Sequence, residues 1–430
     1  MPLSRYMKTW HDPARPGYAF LYSTKKGSLV RIPEAQLTAA RDGTLGEELR
    51  VELRRMEIWV DDPAAERAAM AGLVDATNAR GSRFKATVVL TLDCNLACPY
   101  CYEDRFRGRF AMNDAIARQL VAFVLREQIG CGRDVELRFY GGEPLMAVPR
   151  LKEIAGPLQE VAASAGTRFS CSMVTNGTLL TRSLVEELLP LGLTSAQVTL
   201  DGPPEIHDCQ RPFVSGKGSF KRIVDNLAAV YDLISLKLGG NFTRENYREF
   251  PAMLDLLLAA GLDPARLAPI MFAPILPKSG QRAGHDAACV ASSEPWLIEA
   301  TLFPREETIK RGFSVMKPTM GVCMIELAND IVVNYDGSLY KCPAFMGWPE
   351  LAVGTLADGI GDYRDSHNLN LWRNDDCLDC AYLPLCFGGC RLIPLLKNGI
   401  IDEVDCRKAF YDAALEQMVL QGQQHSSRKK

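Results

Sequence analysis

Residues 94–102 read CNLACPYCY. Cys94, Cys98 and Cys101 stand in the spacing C-x3-C-x2-C, so one turn of backbone can wrap a metal cluster. Asn95, Ala97 and Pro99 supply the small and turn-forming residues such a loop needs. A zinc site would want a fourth Cys or His nearby, commonly as a second pair. The next cysteine is the distant Cys131. A 4Fe–4S cluster usually takes four thiolates, so three leave one iron open to a small molecule.

The loop follows KATVVLTLD (85–93), an apolar strand-like run. Similar runs recur at VELRFYG (135–141), FSCSMVTNG (169–177), SAQVTLDG (195–202), SLKLGGNFT (235–243) and RLAPIMF (266–272). Between them lie helical patterns such as NDAIARQLVAFVLREQI, LVEELLPLG, GSFKRIVDNLAAVYDLI and EFPAMLDLLLAAG. Strands alternating with helices of this length predict βα units around a parallel sheet. Six units fit an α/β fold with a partial (β/α)6 barrel over residues 81–315.

Unusual residues gather where these strands end. Cys94 follows the first, Gly141, Gly142 and Glu143 close the second, and Thr175-Asn176-Gly177 closes the third. Asp201-Gly202 closes the fourth, and Asn241 lies near the end of the fifth. In parallel barrels functional side chains collect at the C-terminal strand edges, so all five would face one mouth.

The flanks differ. Residues 18–31 look like two strands around a KKG turn, followed by helices from Pro33 to Ala40 and Leu45 to Arg55 and a short strand at MEIWV. This suits a winged-helix-like module over 1–80, with 61–82 a helical linker. After residue 315 the alternation stops. The segment 316–430 holds Cys323, Cys342, Cys377, Cys380, Cys386, Cys390 and Cys406, with a closing helix near Lys408–Gln421. A loop-rich, cysteine-dense region with little core needs metal to fold. Cys131, Cys171, Cys209 and Cys289 are scattered and read as small buried hydrophobes.

Bulk properties exclude other classes. The formal net charge of the 430-residue chain is −3, with neither sign dominant, which argues against a nucleic-acid partner. No apolar run approaches the roughly 18 residues of a membrane span. The start, MPLSRYMKTWHD, lacks the apolar segment and cleavage site of a signal peptide. A cytoplasmic location is expected, where clustered thiols hold metal or do redox chemistry rather than form disulfides.

The C-x3-C-x2-C loop, with Tyr100 before its last cysteine, resembles the signature of the radical S-adenosylmethionine (SAM) superfamily. In that family SAM chelates the open iron through its amine and carboxylate. One-electron reduction then gives methionine and a 5′-deoxyadenosyl radical that abstracts hydrogen from substrate. GGEP at 141–144 looks like the family's GGE element, implying that Glu143, with Gly141 and Gly142, meets the SAM amine. TNG at 175–177 makes Asn176 a SAM contact by the same resemblance. TLDG at 199–202 and HDCQR at 207–211 are similar to a stretch of peptide-modifying members, which places Thr199, Asp201 and Arg211 near SAM or substrate.

The later cysteines resemble the seven-cysteine SPASM pattern. That likeness implies Cys377, Cys380, Cys386 and Cys406 on a distal auxiliary 4Fe–4S cluster, and Cys323, Cys342 and Cys390 on one nearer the barrel. With the SAM-binding cluster this makes three. Some relatives add a cysteine where this chain has Asn329, so the near cluster has a non-cysteine ligand or an open iron that could take a substrate thiolate. The resemblance implies an enzyme that modifies a ribosomally made precursor peptide with a leader. Thioether crosslinking is the favoured reaction, and a flavodoxin or ferredoxin the expected electron donor. Carbon–carbon crosslinking and epimerisation are alternatives. So is formylglycine formation in a sulfatase, although those relatives typically place an acidic base after the cysteine aligned with Cys342, where Pro343 stands. A non-catalytic iron–sulfur carrier would not need the strand-end residues.

Overall fold

The computed structural model describes residues 2–275 and 294–426. The chain forms two compact units. One comprises residues 1–80, 317–327 and 368–430, and the other residues 81–316 and 328–367.

The larger unit is built on six parallel strands. They are β4 (Arg83–Thr91), β5 (Asp134–Gly141), β6 (Phe169–Thr175), β7 (Leu193–Thr199), β8 (Ser235–Phe242) and β9 (Ala268–Pro274), adjacent in chain order. Burial alternates along β5 and β8. Phe84, Ala86 and Val88 of β4, Val135, Leu137 and Phe139 of β5, and Leu236 and Leu238 of β8 join one buried cluster with the helices. Each fully buried Leu or Phe there contributes about 1.5–3 kcal/mol. Sequential parallel strands joined by right-handed crossovers put their helices on one face, so the other face is left for polar side chains. The helices at Asp114–Glu127, Arg182–Leu188, Phe220–Val230 and Phe250–Ala259 fall where the 3.6-residue periodicity places them. The helix Val148–Ala165 escapes that reading because Gly156-Pro157, a breaker pair, sits inside it.

The sheet does not stop at six strands. β10 (Asp330–Val333) pairs parallel to β4, with Asp330 opposite Lys85. Beyond it run β11 (Ser338–Tyr340), β12 (Gly354–Thr355) and β13 (Gly359–Ile360), all antiparallel, completing ten strands. Residues 316–430 are therefore not one compact block, and 328–367 belong to the larger unit. The signal was local: DIVV and SLY flank a tight turn with Gly337 at φ 87°.

The smaller unit begins with an antiparallel sheet in the order β1 (Met7–His11), β2 (Tyr18–Ser23), β3 (Leu29–Pro33). It packs on the helices Glu34–Asp42 and Glu47–Arg55 through Ala19, Leu21, Ile32, Leu37 and Leu53. MEIWV is not a strand. Glu57 turns the chain at φ 58°, and Trp59 makes only an isolated bridge with Leu3. Residues 61–82 hold two short helices, Pro63–Ala71 and Leu73–Arg80. The closing helix runs Lys408–Ser426. Cys171 is buried as read, but Cys131 and Cys209 are exposed; Cys289 lies outside the described residues. Among the described residues no helix is long and apolar enough to cross a membrane.

Candidate functional site

The ends of β4 to β9 open onto one cavity of about 380 Å³ in the larger unit. Cys94, Cys98, Cys101 and Tyr100 line it from the loop after β4, Gly141 and Gly142 from the end of β5, and Asn176 from the turn after β6. Thr199, Arg211 and Asn241 complete its polar wall.

The backbone explains the two glycines. The Gly142 N–H donates to the Thr91 carbonyl, and the Glu143 N–H to that of Asp93, each at 2.9 Å. A Cβ at Gly141 would stand 2.1 Å from the Thr91 oxygen, and one at Gly142 would stand 2.2 Å from the Asp93 oxygen. Only glycine lets the end of β5 lie against the chain entering the cysteine loop. Arg107 holds that loop from the other side, donating to the carbonyls of Cys94 (3.1 Å) and Leu96.

Glu143 and Asp201 do not line the cavity; both are fully buried behind it. The Glu143 carboxylate accepts from the Thr175 hydroxyl (2.7 Å) and the backbone N–H groups of Asn176 (2.7 Å) and Leu145 (3.0 Å). Burial pushes its carboxyl up, and these hydrogen bonds pull it back. The carboxylate thus fastens the end of β6 to that of β5. Asn176 donates to Asn95 Oδ1 at 2.7 Å and reaches Cys94 Sγ at 3.7 Å. Asn226, on the helix behind, anchors the same turn through the carbonyls of Gly177 and Thr178.

Asp201 organises the opposite wall. Its carboxylate accepts from the Tyr100 hydroxyl and from the Asn241 backbone N–H (2.7 Å), while Arg211 donates to the Tyr100 oxygen at 2.8 Å. Burial pushes the Asp201 carboxyl up against the opposing charge of Arg211, and it pushes the Tyr100 hydroxyl up, keeping it a neutral donor. Behind them the Asp201 N–H donates to His207 Nδ1 at 3.2 Å, so Nε2 carries the proton toward Ser219 Oγ at 3.0 Å. Burial lowers the His207 pKa to about 3.

Tyr140, Glu103 and Arg107 also line the cavity, and sequence reasoning missed them. Tyr140 was legible, two positions along β5 from Arg138 on the side-chain face opposite Phe139. Glu103 and Arg107 follow the loop with no motif to mark them. Burial raises the Glu103 carboxyl to about 7.

The donor set fits a cluster and SAM. The three thiols are half-buried, unbridged, and share the cavity. No three Cys, His, Asp or Glu side chains among the described residues converge as a single metal ion would need, whereas a cubane presents its irons at separate corners. The Leu96 N–H lies 3.4 Å from Cys94 Sγ, a hydrogen bond of the kind that tunes cluster potential. Arg211 Nε is buried without a partner among the described residues, as a group awaiting a carboxylate would be.

In the smaller unit, Cys377, Cys380, Cys386 and Cys406 line a second cavity of about 800 Å³. Phe387, Gly388 and Gly389 all take positive φ between Cys386 and Cys390. A Cβ at Gly389 would stand 2.1 Å from the Asp405 oxygen, so glycine brings this turn against the residue before Cys406. Asp405 closes the junction, accepting from the Cys390 N–H at 3.1 Å. Cys323 and Cys390 belong to this unit, and Cys342 to the larger one.

A sequential parallel sheet with three thiols after its first strand and a polar cavity at the strand ends defines a radical SAM fold. Residues 88–257 match the radical SAM superfamily. A serine-type anaerobic sulfatase-maturating enzyme of Klebsiella pneumoniae is 32% identical over 320 residues, covering 69% of this chain and 78% of that one. Native anSMEcpe with bound AdoMet, which is SAM, superposes with a TM-score of 0.63 at 18% identity over 79% of this chain and 99% of that one. Streptococcus suis SuiB bound to its precursor peptide SuiA superposes at 0.54 and 14% identity over 94% of this chain and 98% of that one. The chain belongs to the radical SAM superfamily and is a radical SAM enzyme of the sulfatase-maturase and peptide-maturase type.

Proposed function

We propose that this enzyme is a peptide maturase that forms a thioether crosslink in a ribosomally made precursor peptide, recognised through its leader. The observation that carries this reading is the module ahead of the parallel sheet. In it β1 and β3 each pair with β2 alone among the described residues, so both outer edges offer strand addition to an extended peptide. A likeness over 94% of the chain to SuiB, a protein seen with its precursor peptide, supports it. In this reading residues 1–80 are a winged-helix-like leader-binding module, 81–315 the partial barrel, and 316–430 a SPASM segment with two auxiliary clusters.

With a reduced 4Fe–4S cluster bound, SAM supplies a hydrogen-abstracting radical. Cys94, Cys98 and Cys101 hold the cluster, and Arg107 fixes their loop. Arg211 takes the SAM carboxylate, while Thr199 and Asn176 bound its site. Tyr100 is braced by Asp201. Cys377, Cys380, Cys386 and Cys406 hold the distal cluster, and Cys323, Cys342 and Cys390 the near one. Electrons arrive from a flavodoxin or ferredoxin in the cytoplasm.

A second reading, formylglycine formation in a sulfatase, is favoured by the sequence of the Klebsiella relative. Pro343 after Cys342 speaks against it. Both readings are tested by deleting residues 1–80 and measuring peptide binding and SAM cleavage. The maturase reading expects lost leader affinity with SAM cleavage retained; equal leader binding by both proteins refutes it. Product chemistry separates the two reactions: an aldehyde captured by a hydrazide marks formylglycine, whereas a crosslink loses two hydrogens and resists capture.

A further inference from the structure

The face of the parallel sheet turned away from the helices continues below the cavity. Cavity-lining Tyr140 on β5, Val174 on β6 and Thr199 on β7 are each followed, two residues down the strand, by Arg138, Ser172 and Gln197. Lys237 lies four residues below Asn241 on β8. Alternation keeps each of these on the same face as its cavity residue. The register sets Arg138 opposite Ser172, and Gln197 opposite both Lys237 and the cavity-lining Val174. Along its own strand each of these residues lies roughly 7–13 Å from the cavity-lining one, at about 3.3 Å per residue.

Its charge is unbalanced. Around it stand Arg83, Lys85, Arg138 and Lys237 against Glu136 and Asp330. Glu136 is taken by Arg83 and by Lys85 at 3.5 Å. Asp330 is felt by Lys85 first, then Lys341 and Arg83, and only then by Arg138. Arg138 and Lys237 are half-buried and make no hydrogen bond or ion pair with any described residue. The Ser172 hydroxyl, 8% exposed, also has no partner among the described residues. Burial lowers both cations' pKa values, and Arg138 depresses Lys237 further. Two like charges and an orphan hydroxyl on one sheet face weaken the fold unless something anionic joins them.

We propose that Arg138 and Lys237, with Ser172, form a carboxylate subsite inside the sheet's curve that receives an acidic group of the peptide substrate below the reacting residue. The inference rests on the partial-barrel and peptide-maturase reading. Guanidinium and ammonium together suit a carboxylate: one offers a planar fork and the other a point charge. The source is an Asp or Glu side chain or a C-terminus, and the subsite would select which residue is held under the cavity.

The test uses the full-length, cluster-reconstituted, SAM-loaded protein and three probes. N-acetylglutamate N-methylamide carries a side-chain carboxylate, N-acetylalanine a terminal one, and N-acetylglutamine N-methylamide none. Binding is read by ligand-detected NMR and by thermal shift. At least one acid is expected to bind and raise Tm while the amide does neither, and the acid that binds identifies the source. Arg138→Gln and Lys237→Gln are each expected to weaken that acid roughly tenfold, the loss of one charge-assisted contact. Both should leave substrate-free SAM cleavage unchanged. Equal binding of the amide, binding indifferent to both substitutions, or no acid binding to a protein that cleaves SAM would overturn the subsite. Failure of the wild type to cleave SAM would instead strike the enzyme assignment.

Discussion

The Glu143 carboxylate accepts the backbone N–H of Asn176 at 2.7 Å from a fully buried position. The acidic residue of the GGE element is thus a fastener between two strand ends rather than a wall of the cavity. Glu143→Ala would leave the Thr175 hydroxyl and two backbone N–H groups without their acceptor. A stability loss of about 2–4 kcal/mol is expected, at about 1–3 kcal/mol per stranded group with some recovery by water. Urea unfolding of the variant measures it.

Gly142→Ala should break the first site selectively. Its Cβ would meet the Asp93 carbonyl at 2.2 Å, and that backbone leads directly into Cys94. Reductive SAM cleavage is expected to vanish, and iron to fall by about four atoms per chain. Iron assay and cleavage kinetics check both.

Gly389→Ala should do the converse. The residue has φ 78° and its Cβ would strike the Asp405 carbonyl. About four irons should be lost, this time with SAM cleavage preserved and peptide modification impaired.

Arg211→Ala is expected to weaken SAM binding by roughly ten- to a hundredfold, the worth of a buried charge-assisted contact. Tyr100→Phe should cost less than that, since Asp201 remains 3.8 Å from the guanidinium. Equilibrium binding of SAM to reconstituted protein compares them. A larger loss in Tyr100→Phe would show that the hydroxyl, not the cation, carries the affinity.

His207 predicts an acid sensitivity. Its folded pKa of about 3 lies below its ordinary 6.5 because burial disfavours the imidazolium. The unfolded chain therefore binds the proton first. The contribution to stability is complete above about pH 6.5 and declines as pH falls toward 3, reaching roughly 2 kcal/mol of loss by pH 5. His207→Gln removes this titration, so the stability gap between wild type and variant should shrink from pH 7 to pH 5.

Much of this was legible because local chemistry dictated it. All six parallel strands were readable, since alternation along β5 or β8 needs only neighbouring residues. The cysteine loop and the strand-end residues were legible for the same reason. The helix Val148–Ala165 was hidden by Gly156-Pro157, whose local preference yields to burial of Leu151, Ile154 and Leu158. The strand expected at MEIWV had the right residue types, but Glu57 turns the chain before any ladder forms.

The sequence alone determined the ligand types, their spacing and the strand ends that carry them, because these follow from short-range periodicity and thiol chemistry. Only the tertiary structure decided what each polar residue touches. Glu143 and Asp201 read as contacts and are fully buried in hydrogen bonds to neighbouring strand ends, while Tyr140 and Arg107 carried no motif and line the cavity. The register that joins β10 to β4, and the one that sets Arg138 level with Ser172, depend on pairings between residues far apart in the chain. Those pairings come from burying one sheet face as a whole, which no local stretch of sequence encodes.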